Sequence, residues 1–424
     1  MRKMKESKIP WIGLVPEHWE MVRVKNIFNN HKNIVGEKEN EFERLALTLN
    51  GVIKRDKNDS KGLQAENLST YQILNKNELV FKMIDLANVN TSRVGYSPYT
   101  GIVSPVYIIL NNNDYSRYGY YYFYSMWQRE IFNKLGNDGV RSALNASDMM
   151  NLPFPNISVQ EAKIISNFLD EKIQEIDNAI EKTKETIEDY KKLKQTIITK
   201  VVTKGLDKNA VFKDSNIEWI GDIPSKWMVC KIKHLGTSRN GLTYSPEDIC
   251  EKDKGILVLR SSNIKDGKLC FEDNVYVDKE IKEELKVNVG DIVICSRNGS
   301  KSLIGKNALI EENMDATFGA FMMIFRCKTN PKYFKYVLDS DIFKYYLGTF
   351  LTSTINQLTY DNFSNMKIVY TENIKEQNEM VEFLDNKCSE IDSLIKSKEK
   401  IVEELEKYKK SVIYEYVTGK KEVK

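Results

Sequence analysis

The chain has few histidines and no long apolar run. Its 424 residues include only His18, His31 and His234, too few and too scattered for a nitrogen-rich metal cluster. Since no stretch of 18 apolar residues occurs, we expect no membrane-spanning helix. Residues 1–6 lead into no apolar segment, so we predict no signal peptide and a cytoplasmic location.

The six cysteines form no Cys-x-x-Cys pair. They lie in the second half of the chain, at spacings that suit neither a zinc site nor a dense disulfide framework. We therefore predict no metal site and expect the cysteines to be small apolar residues in a reducing compartment. They are Cys230, Cys250, Cys270, Cys295, Cys327 and Cys388.

No catalytic constellation stands out either. A phosphate-binding loop needs Gly-Lys-[Ser/Thr], but Gly419-Lys420 is followed by Lys421. Residues 96–99 and 330–333 only partly resemble the base-holding loop of an aminomethyltransferase, and no glycine-rich cofactor loop precedes them. We therefore predict no catalytic residues and no cofactor in this chain. The net charge of +3 is uninformative, because a nucleic-acid-binding protein needs to be basic on one face only.

The chain instead contains an internal repeat. Residues 7–19 recur at 215–227, and both copies read Trp-Ile-Gly-x-[Val/Ile]-Pro-x-x-Trp, with an offset of 219 − 11 = 208. A second repeat places Phe168-Leu169-Asp170 on residues 383–385, with an offset of 383 − 168 = 215. This second match runs without a gap over most of its length, as a helix requires, because one insertion rotates every later residue by about 100°.

The second repeat also carries apolar residues at alternating steps of three and four, with charged residues between them. This period of about 3.5 predicts a coiled coil, whose simplest partner is the other copy running antiparallel. The alternative is two independent amphipathic helices. The predicted seam consists of Leu169, Ile173, Ile176, Ile180 and Ile187, and of Leu384, Ile391, Ile395, Val402 and Leu405.

Together these patterns predict an α+β protein in which two globular domains are joined by two long helices, with a pseudo-twofold internal repeat. The variable stretches hold short apolar runs bounded by Gly, Asn or Asp, which is typical of strands. The predicted segments are a first domain with its Trp-Ile-Gly lead (1–155), a long helix (156–205), a linker with the second lead (206–227), a second domain (228–370) and a distal long helix (371–424).

Polar and basic residues are frequent in the predicted turns of both domains. Arg and Asn can read base edges in DNA, and Lys neutralises phosphates. Residues 297–301 form the densest such loop. The candidate DNA-binding residues are Lys54, Arg55, Arg93, Arg141, Arg260, Asn263, Arg297, Asn298, Lys301, Lys306 and Asn356.

The repeated Trp-Ile-Gly motif, the Phe-Leu-Asp helix and its Val-Thr end resemble the specificity subunits (S subunits) of type I restriction-modification systems. The resemblance implies two target-recognition domains that read a bipartite asymmetric DNA site, and two antiparallel helices that set the distance between its halves. It also implies docking of two methyltransferase subunits and of restriction-translocase subunits. S-adenosylmethionine, ATP and Mg²⁺ are expected on those partners, and this chain is expected to be non-catalytic.

Three other functions are compatible with the residues. The chain could be a coiled-coil adaptor between proteins, a recognition subunit of a type IIB system, or a fragment of an enzyme with unrecognised motifs. Salt-sensitive binding to duplex DNA would distinguish a specificity subunit from a protein adaptor. A cofactor-binding test on the isolated chain would identify an enzyme fragment.

Overall fold

The computed structural model of the protein describes residues 2–56, 68–86, 92–135, 143–350 and 356–423. The chain divides into two compact units. Unit 1 comprises Met1–Lys184 and Lys400–Lys424, and unit 2 comprises Glu185–Glu399. The segment boundaries given above keep each long helix whole, whereas the compact units divide both helices; those boundaries stay a prediction.

Unit 1 begins with a hairpin, continues through a strand-rich region and ends in helices. Its strands are β1 (Met4–Glu6), β2 (Leu14–Pro16), β3 (Glu20–Arg23), β4 (Asn29–His31), β5 (Leu45–Thr48), β6 (Gly51–Lys54), β7 (Gln72–Leu74), β8 (Leu79–Phe81), β9 (Val94–Tyr96), β10 (Gly101–Val103), β11 (Ile108–Asn111) and β12 (Pro153–Asn156). Its helices are α1 (Ser116–Gln128), α2 (Ile131–Leu135), α3 (Ala146–Asn151) and the first part of α4 (Val159–Lys204).

The largest sheet of unit 1 is antiparallel, with strand order β4-β11-β8-β9. Ile109 at its centre pairs with His31 on one side and with Val80 on the other. Every residue of β8 is buried, because both faces of the sheet are covered. Helix α1 covers one face with aromatic side chains, and Val80 packs on the other face with Leu45 and Leu47 of β5. The Phe123 ring of α1 lies 5.1 Å from the Phe81 ring of β8 in an edge-to-face arrangement.

Unit 2 repeats this order of elements with a longer strand-rich region. Its strands are β13 (Phe212–Asp214), β14 (Asp222–Pro224), β15 (Met228–Lys231), β16 (Gly236–Asn240), β17 (Ile249–Cys250), β18 (Ile256–Leu259), β19 (Ile264–Lys265), β20 (Lys268–Leu269), β21 (Val275–Val277), β22 (Asp291–Cys295), β23 (Asn307–Leu309), β24 (Ala316–Phe318), β25 (Met322–Cys327) and β26 (Lys367–Tyr370). Its helices are α5 (Pro331–Asp339), α6 (Asp341–Phe350), α7 (Tyr360–Asn365) and the first part of α8 (Ile374–Val417).

The main sheet of unit 2, β16-β25-β22-β23, has the same antiparallel order of equivalent strands as the main sheet of unit 1. Unit 2 also contains a second four-stranded sheet, β17-β21-β18-β24, in which β18 and β24 are parallel; the described residues of unit 1 form no equivalent of it. The variable stretches therefore share a central sheet and differ around it, which explains why their sequences show little similarity.

Most of the predicted seam of α4 and α8 is buried, as a helix-pairing face requires. Ile395 and Leu405 are half-buried. The other eight seam residues are buried: Leu169, Ile173, Ile176, Ile180, Ile187, Leu384, Ile391 and Val402. Across the described residues, no helix combines the length and apolarity needed to cross a bilayer.

The long helices run antiparallel within unit 1. The Asp177 carboxylate of α4 accepts hydrogen bonds from Lys409 Nζ of α8 at 2.5 and 2.7 Å. Nine residues earlier in α4, the Phe168 ring lies 4.4 Å from the ring of Tyr416, which comes later in α8. The two helices therefore have opposite directions.

Unit 2 contains the equivalent ion pair. Lys194 Nζ of α4 donates to both oxygens of Asp392 of α8 at 2.7 Å. Lys194 and Asp392 are related to Lys409 and Asp177 by the 215-residue offset (409 − 194 and 392 − 177). Mixed helix and strand content with two long paired helices confirms the predicted fold class.

Candidate nucleic-acid interface

The repeated Trp-Ile-Gly motif forms a tight turn that brings a buried tryptophan onto a long helix. In unit 1 the Gly13 amide donates to the Ile9 carbonyl at 3.0 Å, and Gly13 has φ +71°, where a side chain would be strained. The Trp19 ring is fully buried, and its indole N–H donates to Glu161 Oε1 at 3.1 Å. The motif therefore anchors the start of the chain to the start of α4.

The Glu161 carboxylate collects several donors besides the Trp19 indole. Arg2 donates to the same oxygen, and His18 Nε2 lies 3.2 Å from the other. Burial alone would raise the pKa of Glu161, but the hydrogen bonds from Arg2, His18 and Trp19 outweigh it and lower the pKa. The carboxylate is thus held in its charged form.

The same anchor occurs in unit 2. The Trp227 indole donates to both oxygens of Glu376 at 3.0 Å, and Thr371 Oγ1 donates to one of them at 2.7 Å. Glu376 is equivalent to Glu161 through the 215-residue offset. Sequence reasoning missed both glutamates, although the offset and the need of a buried indole for an acceptor were available signals.

The aspartate of the Phe-Leu-Asp motif has an equally specific partner. Tyr121 of α1 donates its hydroxyl to Asp170 at 2.6 Å, and Tyr336 of α5 donates to Asp385 at 2.6 Å. In unit 1, Arg117 Nε also donates to both carboxylate oxygens of Asp170, at 2.8 and 3.1 Å. These hydrogen bonds hold α1 against α4 and α5 against α8. Because α1 and α5 each pack on the main sheet of their unit, the bonds also position the loops of each domain.

The loops of unit 2 that carry predicted residues come together in space. The Phe321 carbonyl accepts from the amides of Ser296 and Arg297 at 3.0 and 3.1 Å. The Ser296 carbonyl in turn accepts from the Leu358 amide at 2.7 Å. Three separated chain segments are therefore bonded together, and side-chain hydrogen bonds add residues 260–261 and 306 to them. We term the resulting surface the polar loop cluster; it consists of Arg260, Ser261, Arg297, Asn298, Lys306, Phe321 and Asn356.

Side chains connect the same loops. Asn298 Nδ2 donates to Ser261 Oγ at 3.1 Å, and Lys306 Nζ donates to the Ser261 carbonyl at 3.4 Å. Asn298 Oδ1 also accepts from the Ser300 amide at 3.0 Å, so this asparagine shapes its own loop. Asn356 Nδ2 reaches the Gly299 carbonyl at 3.5 Å. These residues hold the loops together, which leaves fewer of their polar groups for a ligand.

Arg297 and Lys301 are the most open of the predicted residues in this region. Both are exposed. The Arg297 guanidinium lies 5.4 Å from the centroid of the Phe321 ring, within the range of a cation–π contact. Sequence reasoning missed Phe321, because an aromatic residue next to a strand is usually expected in the core.

Two other predicted residues of unit 2 have structural partners. Asn263 is fully buried, and its amide donates to the carbonyls of Cys270 and Asp273 at 3.1 and 3.2 Å. Arg260 pairs with the Asp273 carboxylate at 2.9 Å. Asn263 therefore closes the loop on which Arg260 lies, and its amide group is already hydrogen-bonded within the protein.

The predicted residues of unit 1 do not form a comparable cluster within the described residues. Lys54 is exposed and pairs with Glu43, which raises the pKa of Lys54 through a hydrogen bond. Arg55 is half-buried. Arg93 is buried and donates to the Ile84 carbonyl at 2.8 Å, and burial lowers the pKa of its guanidinium. Arg141 lies outside the described residues.

Known proteins resemble this chain over its length. Residues 224–407 match the family model for the type I restriction modification DNA specificity domain. The MjaVIII type I specificity subunit of Methanocaldococcus jannaschii is 28% identical over 97% of this chain and 94% of its own length. The EcoKI specificity subunit of Escherichia coli is 29% identical over 47% of this chain and 44% of its own.

A solved structure supports the fold. A chain from a study of complex assembly and conformational transition of the type I R-M system has a TM-score of 0.71 at 14% identity, covering 95% of this chain and 98% of that one. The described residues contain no group of three or more potential metal ligands. The resemblance of the chain to type I specificity subunits, which the repeated motifs predicted, is confirmed.

Proposed function

We propose that this chain, as the DNA sequence-specificity subunit of a type I restriction-modification system, reads one half of a bipartite site with each of its two units. The observation that carries the proposal is the polar loop cluster of unit 2, where hydrogen bonds join three loops beneath an exposed arginine. Such a surface suits a major groove, because Arg can donate two hydrogen bonds to guanine at once.

The residues of the cluster and the neighbouring Lys301 have different roles in this proposal. Arg297 reads a base edge, while the exposed Lys301 and the half-buried Lys306 neutralise phosphates. Asn298 positions Arg297 by holding the loop. A bidentate Arg–guanine pair is worth about 1–3 kcal/mol of discrimination against other bases.

The paired helices are the spacer between the half-sites. The uninterrupted helix α4 supports this proposal, because its 46 residues begin in unit 1 and end in unit 2. Deleting four residues from α4 should shorten the spacer of the recognised site or abolish recognition. Methylation mapping reads the spacer directly, and an unchanged spacer would contradict this role.

Catalysis lies with the partners in this proposal. Two methyltransferase subunits dock on the chain and carry S-adenosylmethionine, and restriction-translocase subunits bring ATP and Mg²⁺. The purified chain alone should neither methylate nor cut DNA, and it should act in the cytoplasm. Activity that follows the chain through purification would contradict a non-catalytic role.

The central experiment is Arg297→Ala in cells that carry the whole system, followed by methylation mapping. We expect relaxed recognition at one position of one half-site and an unchanged second half-site. Arg23→Ala is the matched control, because Arg23 is an exposed arginine of β3 outside the predicted set. Equal losses at both half-sites would show that the units do not read independently.

A further inference from the structure

Phe321 is an exposed aromatic side chain on a rigid turn. Its ring keeps 59% of its surface exposed, whereas Phe318, three residues earlier, is fully buried. The turn is closed by the Met322 amide, which donates to the Gly319 carbonyl at 2.8 Å. Packing of the core therefore accounts for Phe318 and does not account for Phe321.

Three hydrogen-bond donors hold the backbone carbonyl oxygen of Phe321. Its carbonyl accepts from the Ser296 amide at 3.0 Å, the Arg297 amide at 3.1 Å and the Ser296 hydroxyl at 3.0 Å. The neighbouring loop thus fixes the place from which the ring projects. A rigid aromatic side chain loses little conformational entropy when it binds, which favours its use in recognition.

The Arg297 guanidinium lies over this ring at 5.4 Å. Both residues also share a backbone hydrogen bond, so neither can move far without the other. The contact favours those orientations of the Arg297 side chain that lie over the ring before any ligand arrives. A guanidinium oriented in advance gains more from two hydrogen bonds to one base than a freely rotating one.

We propose that Arg297 and Phe321 act as one reading unit for a guanine next to a thymine in the half-site of unit 2. Arg297 donates to guanine O6 and N7, and the Phe321 ring contacts the 5-methyl group of the neighbouring thymine. Thymine is the base that offers an apolar group in the major groove, and an aromatic side chain is one of its usual partners. This inference rests on the proposed DNA recognition.

The test uses the reconstituted complex of the chain with its methyltransferase subunits, on the site found by methylation mapping. Each thymine of the half-site is replaced by uracil, which removes only the 5-methyl group, and the dissociation constant is measured. We expect one replacement to weaken wild-type binding about fourfold, comparable to losing one buried methylene. The same replacement should not change the dissociation constant of the complex that carries Phe321→Ala.

Two further variants separate the parts of the unit. Phe321→Leu keeps an apolar contact without the cation–π contact, so it should retain sensitivity to uracil and lose part of the preference for the adjacent guanine. Phe212→Ala is the matched control, because Phe212 is also exposed in unit 2 but lies on β13. We expect it to behave like the wild type.

The outcomes distinguish this inference from the proposed function. If the wild-type complex shows no preference for its site, the proposed function fails. If it binds specifically but Phe321→Ala responds to uracil as the wild type does, only the reading unit is refuted. Weakened binding of Phe321→Ala to every sequence, with no thymine effect, would indicate a wedge between base pairs and also refute it.

Discussion

Substitution of Gly419 by alanine tests how the end of α8 packs within unit 1. Gly419 has φ +68°, and a Cβ there would lie 2.5 Å from both Cγ and Cδ of Pro16 and 2.9 Å from Trp19. Gly13 is the matched control in the same unit. It has φ +71°, and the nearest atom to its added Cβ would be Lys420 Nζ at 3.8 Å, the end of a flexible chain.

The two substitutions share one cost and differ in another. Placing an alanine in the left-handed region costs about 1–2 kcal/mol at either position. The gain from a less flexible unfolded chain is also common to both and cancels in the comparison. Only Gly419→Ala forces a contact with a proline ring and a buried indole, and overpacking of this kind costs a further 1–3 kcal/mol or so.

Chemical denaturation followed by tryptophan fluorescence measures the difference, because Trp19 lies at the site of the clash. We expect Gly13→Ala to lower the free energy of unfolding by about 1 kcal/mol, and Gly419→Ala to lower it by about 1–3 kcal/mol more than Gly13→Ala does. Equal losses for the two variants would mean that the end of α8 does not pack on Pro16 and Trp19 as described.

Two further predictions concern buried and half-buried polar groups. Tyr118 donates to the Val417 carbonyl at 2.7 Å, whereas the equivalent Tyr333 hydroxyl is buried with no partner among the described residues. Tyr118→Phe should therefore cost about 1 kcal/mol and Tyr333→Phe nothing, and equal changes in the unfolding midpoint would contradict this. Because the pKa of Glu161 is lower in the folded than in the unfolded chain, its stabilisation is complete above pH ~4.3 and is lost as the pH falls through the folded-state pKa. Glu161→Gln should lose less stability on acidification than the wild type, and identical acid unfolding profiles would exclude that role.

The scaffold could be predicted from the sequence because repetition and helical periodicity are properties of the chain itself. The 215-residue offset placed Lys194 and Asp392 in correspondence with Lys409 and Asp177, and each pair forms an ion pair. The ends of both long helices also reflect the ability of glycine to adopt a positive φ without strain. Gly205 and Gly419 both have positive φ, although they occur at different steps after the Val-Thr motif.

The candidate interface was less predictable, because loop composition does not reveal which polar groups a fold uses for itself. Asn263 and Arg93 have the residue types of DNA contacts, yet both are buried and donate to backbone carbonyls. Conversely, Phe321 has the residue type of a core position and is exposed. Only the pairing of distant strands and loops determines these environments.

The division of the long helices has a consequence for the order in which the protein folds during synthesis. Unit 2 is a continuous stretch, but unit 1 needs Lys400–Lys424, which the ribosome makes after all of unit 2. Until then Tyr118 lacks the Val417 carbonyl and Trp19 lacks its cover at Gly419. The first domain to be translated is thus the last to be completed, and nascent chains would expose its aromatic residues to chaperones and proteases for longest.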